Sequence, residues 1–469
     1  MGLETLKKRL TALQQLAGDN KSGFGNLSDR IGGLIHRLSP AYLILFGYAM
    51  IILIGALLLS LPSMVTAGNR LTFIDALFTS ASAICVTGLI VVDTATFFSP
   101  LGQVVILILI QAGGLGYMTF STILALIFRR RIEYRDRLAI KESLSLIAPG
   151  GVVRFTITII KYTFFVEMIG ASLLFMAFVR ILPPGRAFFS AIFHAVSAFC
   201  NAGFSVFSTN LEGFSGDPLV ILVVMALFIL GGIGFIVMAE VIHRKRDYSL
   251  HVQVVIRTTV CLIALGTGLI LLFEWNNPET LGALSFSEKI MNSLFQSSAP
   301  RTAGFHTLPI GAHTPPTLFL MIGLMFIGAS PGGTGGGVKT TVLALVLGLV
   351  LSTLQGKSHV EIARRRISPV VLNRAISLVV MAVFFLLGII VVILSIQPLA
   401  PMPVIFEVFS AFGTVGLSMG ITAELASFSK FLIIITMYVG RVGFFSLLML
   451  RWHKERQDIL VFPEENIAV

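Results

Sequence analysis

Ser82-Ala-Ile-Cys-Val-Thr-Gly88 is a frame that this chain writes four times. It returns as Ser197-Ala-Phe-Cys-Asn-Ala-Gly203, Ser298-Ala-Pro-Arg-Thr-Ala-Gly304 and Ser410-Ala-Phe-Gly-Thr-Val-Gly416. Each copy reads Ser-Ala, four free positions and glycine, then Leu89, Phe204, Phe305 or Leu417. Ten residues before the glycine stands Phe78, Phe193, Leu294 or Phe406, and the glycines are 115, 101 and 112 residues apart. A short apolar helix that ends at a glycine, repeated fourfold, predicts four segments converging on one axis.

The 469 residues are 55% hydrophobic and only 12% charged, about half the charge of a soluble domain. Residues 41–61 and 101–128 carry no charge, and uncharged runs of roughly 20 residues are long enough to cross a bilayer as helices. The chain is therefore read as a multi-span membrane protein. Its net charge of +11 raises a nucleic-acid partner, but the placement of the charge excludes one. Basic clusters follow alternate apolar segments: Arg129, Arg130, Arg131, Arg135 and Arg137; Arg244, Lys245 and Arg246; Lys357, Arg364, Arg365 and Arg366; Arg451, Lys454 and Arg456. That asymmetry is the positive-inside pattern. It puts both termini in the cytoplasm, including the tail 1–39 with Lys7, Lys8, Lys21, Arg30 and Arg37. Cys85, Cys200 and Cys261 form no metal-ligand spacing and read as small packing residues.

The expected fold is all-α, with four tandem helix–half-helix–helix units arranged pseudo-fourfold around one pore. The units are 40–137, 150–247, 250–356 and 368–456, followed by a tail 457–469. In the first, helix 40–61 leads to Asn69–Gly88, which is too short to span and better suited to a re-entrant segment; Leu101–Phe128 then returns inside. The second contains Val153–Leu182, Arg186–Gly203 and Pro218–Ala239. Its first helix holds Lys161 and Glu167, read as helix packing, with the lysine reaching the interface, in preference to an ion site. The third contains Arg257–Phe273, Ser287–Gly304 and Thr317–Leu354, interrupted by Pro331-Gly-Gly-Thr-Gly-Gly-Gly-Val338. Such backbone breaks a helix and survives at membrane depth only where protein buries it or it lines a cavity. The fourth contains Pro369–Gln397, Met402–Gly416 and Phe431–Leu450. In its last helix Arg441 stands with ten uncharged residues before it and nine after. An arginine at a helix centre costs about 2.5–3.5 kcal/mol on insertion scales, so it normally faces a cavity or a partner.

Gly332-x4-Gly337-Val338-Lys339-Thr340 nearly matches a phosphate loop, which needs lysine directly after the glycine. Val338 breaks the register and no strand precedes it, so a nucleotide-hydrolysing enzyme is rejected. The four lines Val86-Thr87-Gly88, Asn201-Ala202-Gly203, Thr302-Ala303-Gly304 and Thr414-Val415-Gly416 instead suit cation conduction. Four half-helices aim the negative ends of their dipoles at the axis, and glycine permits backbone that turns carbonyls inward to replace a hydration shell. Potassium at these carbonyls is the expected ligand. A proton- or sodium-coupled symporter is the second reading; it asks for buried acids on broken helices, and Glu167 is the one candidate the sequence offers.

The four units, the single glycine in each line, the glycine-rich break and the arginine of the last helix together resemble the Trk/Ktr/HKT superfamily, over about residues 40–469. Val-Thr-Gly-Leu, Asn-Ala-Gly-Phe, Arg-Thr-Ala-Gly-Phe and Thr-Val-Gly-Leu are most similar to the bacterial Ktr membrane subunit. The resemblance implies potassium uptake across the bacterial cell membrane, and a homodimer with one pore per protomer among membrane lipids. It implies a cytosolic octameric RCK ring that binds ATP or ADP, no cofactor in this chain, and sodium as an activator. It makes Gly332, Gly333, Thr334, Gly335, Gly336, Gly337 and Lys339 a gate beneath the filter, with Arg441 in the same barrier. It also places the tail 457–469 in the dimer interface.

Overall fold

The computed structural model of the chain describes residues 40–116, 152–242 and 248–443. The basic clusters at 129–137, 244–246 and 451–456 and both tails lie outside the described residues. The first unit supplies α1 (Pro40–Leu59), α2 (Phe73–Ile84) and α3 (Pro100–Gly114). The second supplies α4 (Val152–Phe178), α5 (Pro184–Phe199), α6 (Pro218–Gly232) and α7 (Phe235–Ile242). The third supplies α8 (Leu250–Glu274), α9 (Phe286–Ser298), α10 (Pro315–Phe326) and α11 (Thr340–Leu354). The fourth supplies α12 (Pro369–Ile396), α13 (Pro401–Gly413) and α14 (Ser427–Val442).

Local chemistry sets many of these starts. Pro100, Pro184, Pro218, Pro315, Pro369 and Pro401 each open a helix, where the missing N–H costs nothing and φ is already set. Ser285 and Glu288 form a reciprocal cap on α9, satisfying two otherwise orphaned donors. The half-helices α2, α5, α9 and α13 pack against the longer helices α1, α4, α8 and α14. Burial separates the two kinds of helix. Phe78, Phe193 and Phe406 are fully enclosed, whereas Phe164, Phe165 and Met168 on α4 and Phe384 on α12 are exposed, as an apolar face turned to lipid should be. In the third unit Leu294, ten residues before the glycine, is half-buried, and its neighbour Phe295 is the fully enclosed side chain.

Two expected helices differ. Pro218–Ala239 is not one span: α6 and α7 meet at a bend of 101°. Gly234 takes φ +98° there, and the residues around 331 claim the backbone groups the bend releases. Ser330 N donates to Gly232 O at 3.0 Å, Thr334 N to Gly231 O at 3.1 Å, and Phe235 N to Gly332 O at 3.0 Å. The break in the third unit is also wider than 331–338, running from the end of α10 at Phe326 to the start of α11 at Thr340. Its limbs pair with each other, Gly328 N donating to Val338 O at 2.8 Å.

After α11 the chain forms a small hairpin, β1 (Glu361–Ile362) against β2 (Arg365–Arg366). Arg364, Arg365 and Arg366 are exposed on it. Hydrogen bonds from His359 and Lys357 hold the Glu361 carboxyl below the usual carboxylate range.

Candidate functional site

Each half-helix ends in the same unusual backbone. Two residues with positive φ flank one without: Val86 (57°) and Gly88 (91°), Asn201 (59°) and Gly203 (70°), Thr302 (72°) and Gly304 (73°), Thr414 (51°) and Gly416 (92°). L-residues rarely adopt this conformation, and non-glycine residues hold it only where the surroundings impose it. The imposing contacts are visible. Thr87 N, Ala202 N and Val415 N each bond back to the serine carbonyl five residues earlier, at 2.8 Å. The serine side chains finish the turn in two units, Ser82 Oγ accepting from Gly88 N at 3.0 Å and Ser410 Oγ from Gly416 N at 3.1 Å. In the other two units the frame serine bonds elsewhere, Ser197 Oγ donating to Phe204 O at 2.7 Å and Ser298 Oγ to Leu294 O at 2.8 Å.

The lines meet one another in cyclic order. A Cβ added to Gly88 would strike Ala202 O, and one on Gly203 would lie 2.6 Å from the Gly304 Cα. One on Gly304 would lie 2.5 Å from Val415 O, and one on Gly416 would strike Thr87 O. Units one, two, three, four and one again are thus in backbone contact through the expected glycines. On one side of them opens a cavity of about 300 Å3, lined by Gly88, Gly203, Gly416, Asp93, Asn210 and Ser418 among others.

Residues 331–339 pack against the other side. Gly336 N donates to Thr414 Oγ1 at 2.8 Å. In the amide orientation that satisfies both its ends, Asn201 donates to Thr334 Oγ1 at 2.9 Å and accepts from Thr302 Oγ1 at 3.0 Å. A Cβ on Gly335 would collide with Thr302 Oγ1. Lys339 Nζ donates to Gly335 O at 2.8 Å. Arg441 donates to the carbonyl of Thr334 and to those of Gly113 and Gly114 at the end of α3. All twelve expected line residues and the segment 332–339 with Arg441 are therefore brought together.

Glu167 is buried on α4, its carboxylate accepting from Gln111 Nε2 at 3.3 Å and facing Cys200 Sγ at 4.0 Å. It touches none of the four glycines. Lys161 is exposed. A second buried acid, Glu407 on α13, escaped the sequence reading: its carboxylate accepts from Thr422 Oγ1 and, at 2.7 Å, from Ser418 Oγ behind the fourth line. A lone acid inside the apolar run 401–413 was the available signal. Asp93 in the cavity, bonded by Ser208 at 2.7 Å, sits in a loop that no motif marks.

Residues 48–461 match the model of the TrkH family, described as a cation transport protein. The chain belongs to this family. It is similar to the Ktr system potassium uptake protein B of Bacillus subtilis, 39% identical over 92% of this chain and 97% of that protein. It is 38% identical to the potassium/sodium uptake protein NtpJ of Enterococcus hirae, over 92% of this chain and 98% of that one. Among solved structures it resembles the crystal structure of the potassium transporter TrkH from Vibrio parahaemolyticus, with a TM-score of 0.69 over 88% of this chain and 85% of that chain, at 18% identity. That likeness is one of fold, that of a helical membrane protein.

Proposed function

We propose that this chain is the ion-translocating subunit of a Ktr-type potassium uptake system in the cell membrane. The observation that carries the reading is the closed ring of four glycine lines, in each of which two positive-φ residues flank a third. Alternation of this kind turns successive carbonyls to one side, and four lines in cyclic contact face them on a common axis. The Ktr relative is named for potassium uptake and the NtpJ relative for potassium/sodium uptake, in keeping with such a ring. The 300 Å3 cavity is then the outer mouth and residues 331–339 the gate beneath the filter. Conduction needs no fuel in this chain: one charge falling through about 150 mV gains roughly 3.5 kcal/mol, or about 300-fold accumulation.

The remaining parts follow from the same reading. Both termini and the basic hairpin at 361–366 face the cytoplasm, two copies form a homodimer, and the tail 457–469 lies in their interface. A cytosolic octameric RCK ring binds ATP or ADP and sets the gate, while sodium acts as an activator and not through a coupling site at Glu167. Rubidium uptake and growth on limiting potassium, in cells stripped of their own uptake systems and with or without an RCK partner, tests this. Uptake that follows the membrane potential and depends on the partner is expected. Full uptake that persists when the potential is collapsed but a sodium gradient is kept would replace conduction with sodium-coupled symport.

A further inference from the structure

The gating segment bonds to the side chains of residues on which the filter backbone turns. The first position of each line carries the less tolerant positive φ, because it is not glycine: Val86, Asn201, Thr302 and Thr414. Three of the four are polar, and all three contact residues 334–336. Thr414 accepts from Gly336 N at 2.8 Å, Asn201 bonds Thr334 at 2.9 Å and Thr302 at 3.0 Å, and Thr302 presses on Gly335. Asn201, Thr302, Thr414 and Thr334 are fully buried, so water does not replace a lost bond without a rearrangement. The fourth position, Val86, has no polar atom to offer. In the first unit the segment is held by Arg441, which bridges Thr334 O to Gly113 O and Gly114 O.

We propose that Asn201, Thr302 and Thr414 couple the filter to the gate, so that ion selectivity depends on whether the segment is seated. Strained backbone persists only while its surroundings over-determine it. Withdrawing residues 334–336 removes the hydrogen-bond partners of Asn201 and Thr414 and the backbone packed on Thr302, and leaves the Val86 line as it was. The open pore then has a looser, two-sided filter that discriminates potassium from sodium less well than the closed geometry implies. This coupling rests on the segment being the gate.

The chain itself offers a mild probe. Val86 shows that valine is accommodated at this φ, so Thr414→Val and Thr302→Val keep shape and conformation while removing the hydroxyl. Thr334→Val removes the hydroxyl that pairs with Asn201 without substituting a line residue. Each is compared with a deletion within Gly332–Gly337, at equal membrane level, for maximal rubidium uptake and for sodium competition against it. Coupling predicts that the deletion raises uptake and that sodium competes about fivefold better, the scale of one lost hydrogen bond. Thr414→Val and Thr334→Val shift both readouts in the same direction. A deletion that raises uptake with sodium competition unchanged overturns the coupling and leaves the gate standing. A deletion that raises nothing overturns the gate reading and the coupling with it. Valine variants that change competition while Thr334→Val does not also overturn the coupling, since the hydroxyls would then serve the ion directly.

Discussion

Arg441 does two things at once, and they are separable. Its guanidinium is permanently charged and donates to the carbonyls of Thr334, Gly113 and Gly114. A cation about 6 Å away, at an effective dielectric near 20, is repelled by roughly 2.8 kcal/mol, about a hundredfold in occupancy. The same three bonds hold the segment 332–339 to α3. Arg441→Gln removes the charge and part of the clamp, so maximal rubidium uptake should rise at equal membrane level. Arg441→Lys keeps the charge but lacks the planar fork that spans both sides, and should retain most of the barrier. A lysine variant as active as the glutamine variant would make the clamp, and not the charge, the source of the block. The glycines of the four lines answer to sterics instead. Gly304 holds φ +73°, and a Cβ there would stand 2.5 Å from Val415 O. Gly304→Ser should therefore weaken apparent potassium affinity about tenfold, from a left-handed penalty of roughly 1–2 kcal/mol, with the protein still reaching the membrane. Uptake kinetics equal to the parent protein's would remove Gly304 from the filter.

If residues 331–339 are the gate, as proposed, the element that supports it is the bend between α6 and α7, because residues 330–334 are seated on it. Irregular backbone at this depth must find internal partners, and the carbonyls of Gly231 and Gly232 with the amide of Phe235 supply three. Gly234 makes the bend: its φ is +98°, and a Cβ would come within 2.6 Å of Pro331 O. Gly234→Ala should straighten or displace α7, unseat the segment and raise basal uptake in the absence of the cytosolic partner. Uptake measured with and without that partner checks this, and an alanine variant still fully partner-dependent would show that the segment does not rely on the bend.

At the scale of the molecule, the four units close because the last returns to the first. Lys430 on α14 pairs with Asp75 on α2 at 2.7 Å, largely shielded from solvent, and Tyr438 Oη donates to Leu45 O at 2.6 Å. A tie through one neutral hydrogen bond contributes about 1 kcal/mol, and a partly exposed ion pair no more than that. Tyr438→Phe should lower the thermal midpoint in detergent by about one degree and leave sodium competition unchanged, since neither residue belongs to the four lines. A Tyr438→Phe protein that loses potassium selectivity would mean that closure tension is transmitted to the glycine ring.

The sequence by itself determined the class, the fourfold unit and the four lines. A bilayer demands uncharged runs of fixed length, and positive φ favours glycine, so both leave marks in the residues themselves. Arg441 was legible for the same reason, as a charge where hydrocarbon forbids one. Which residues those marks touch was decided only by tertiary structure. The 101° break after Gly232 is invisible in an apolar run because its released bonds are taken up by residues about a hundred positions further on. Asn201, Thr302 and Thr414 read as line residues, but their partnership with residues 334–336 exists only once three units meet. Glu407 and Asp93 acquire their hydroxyl partners from loops brought beside them by folding. Local chemistry writes itself along the chain, whereas a hydrogen bond between distant segments becomes definite only when the helices have packed.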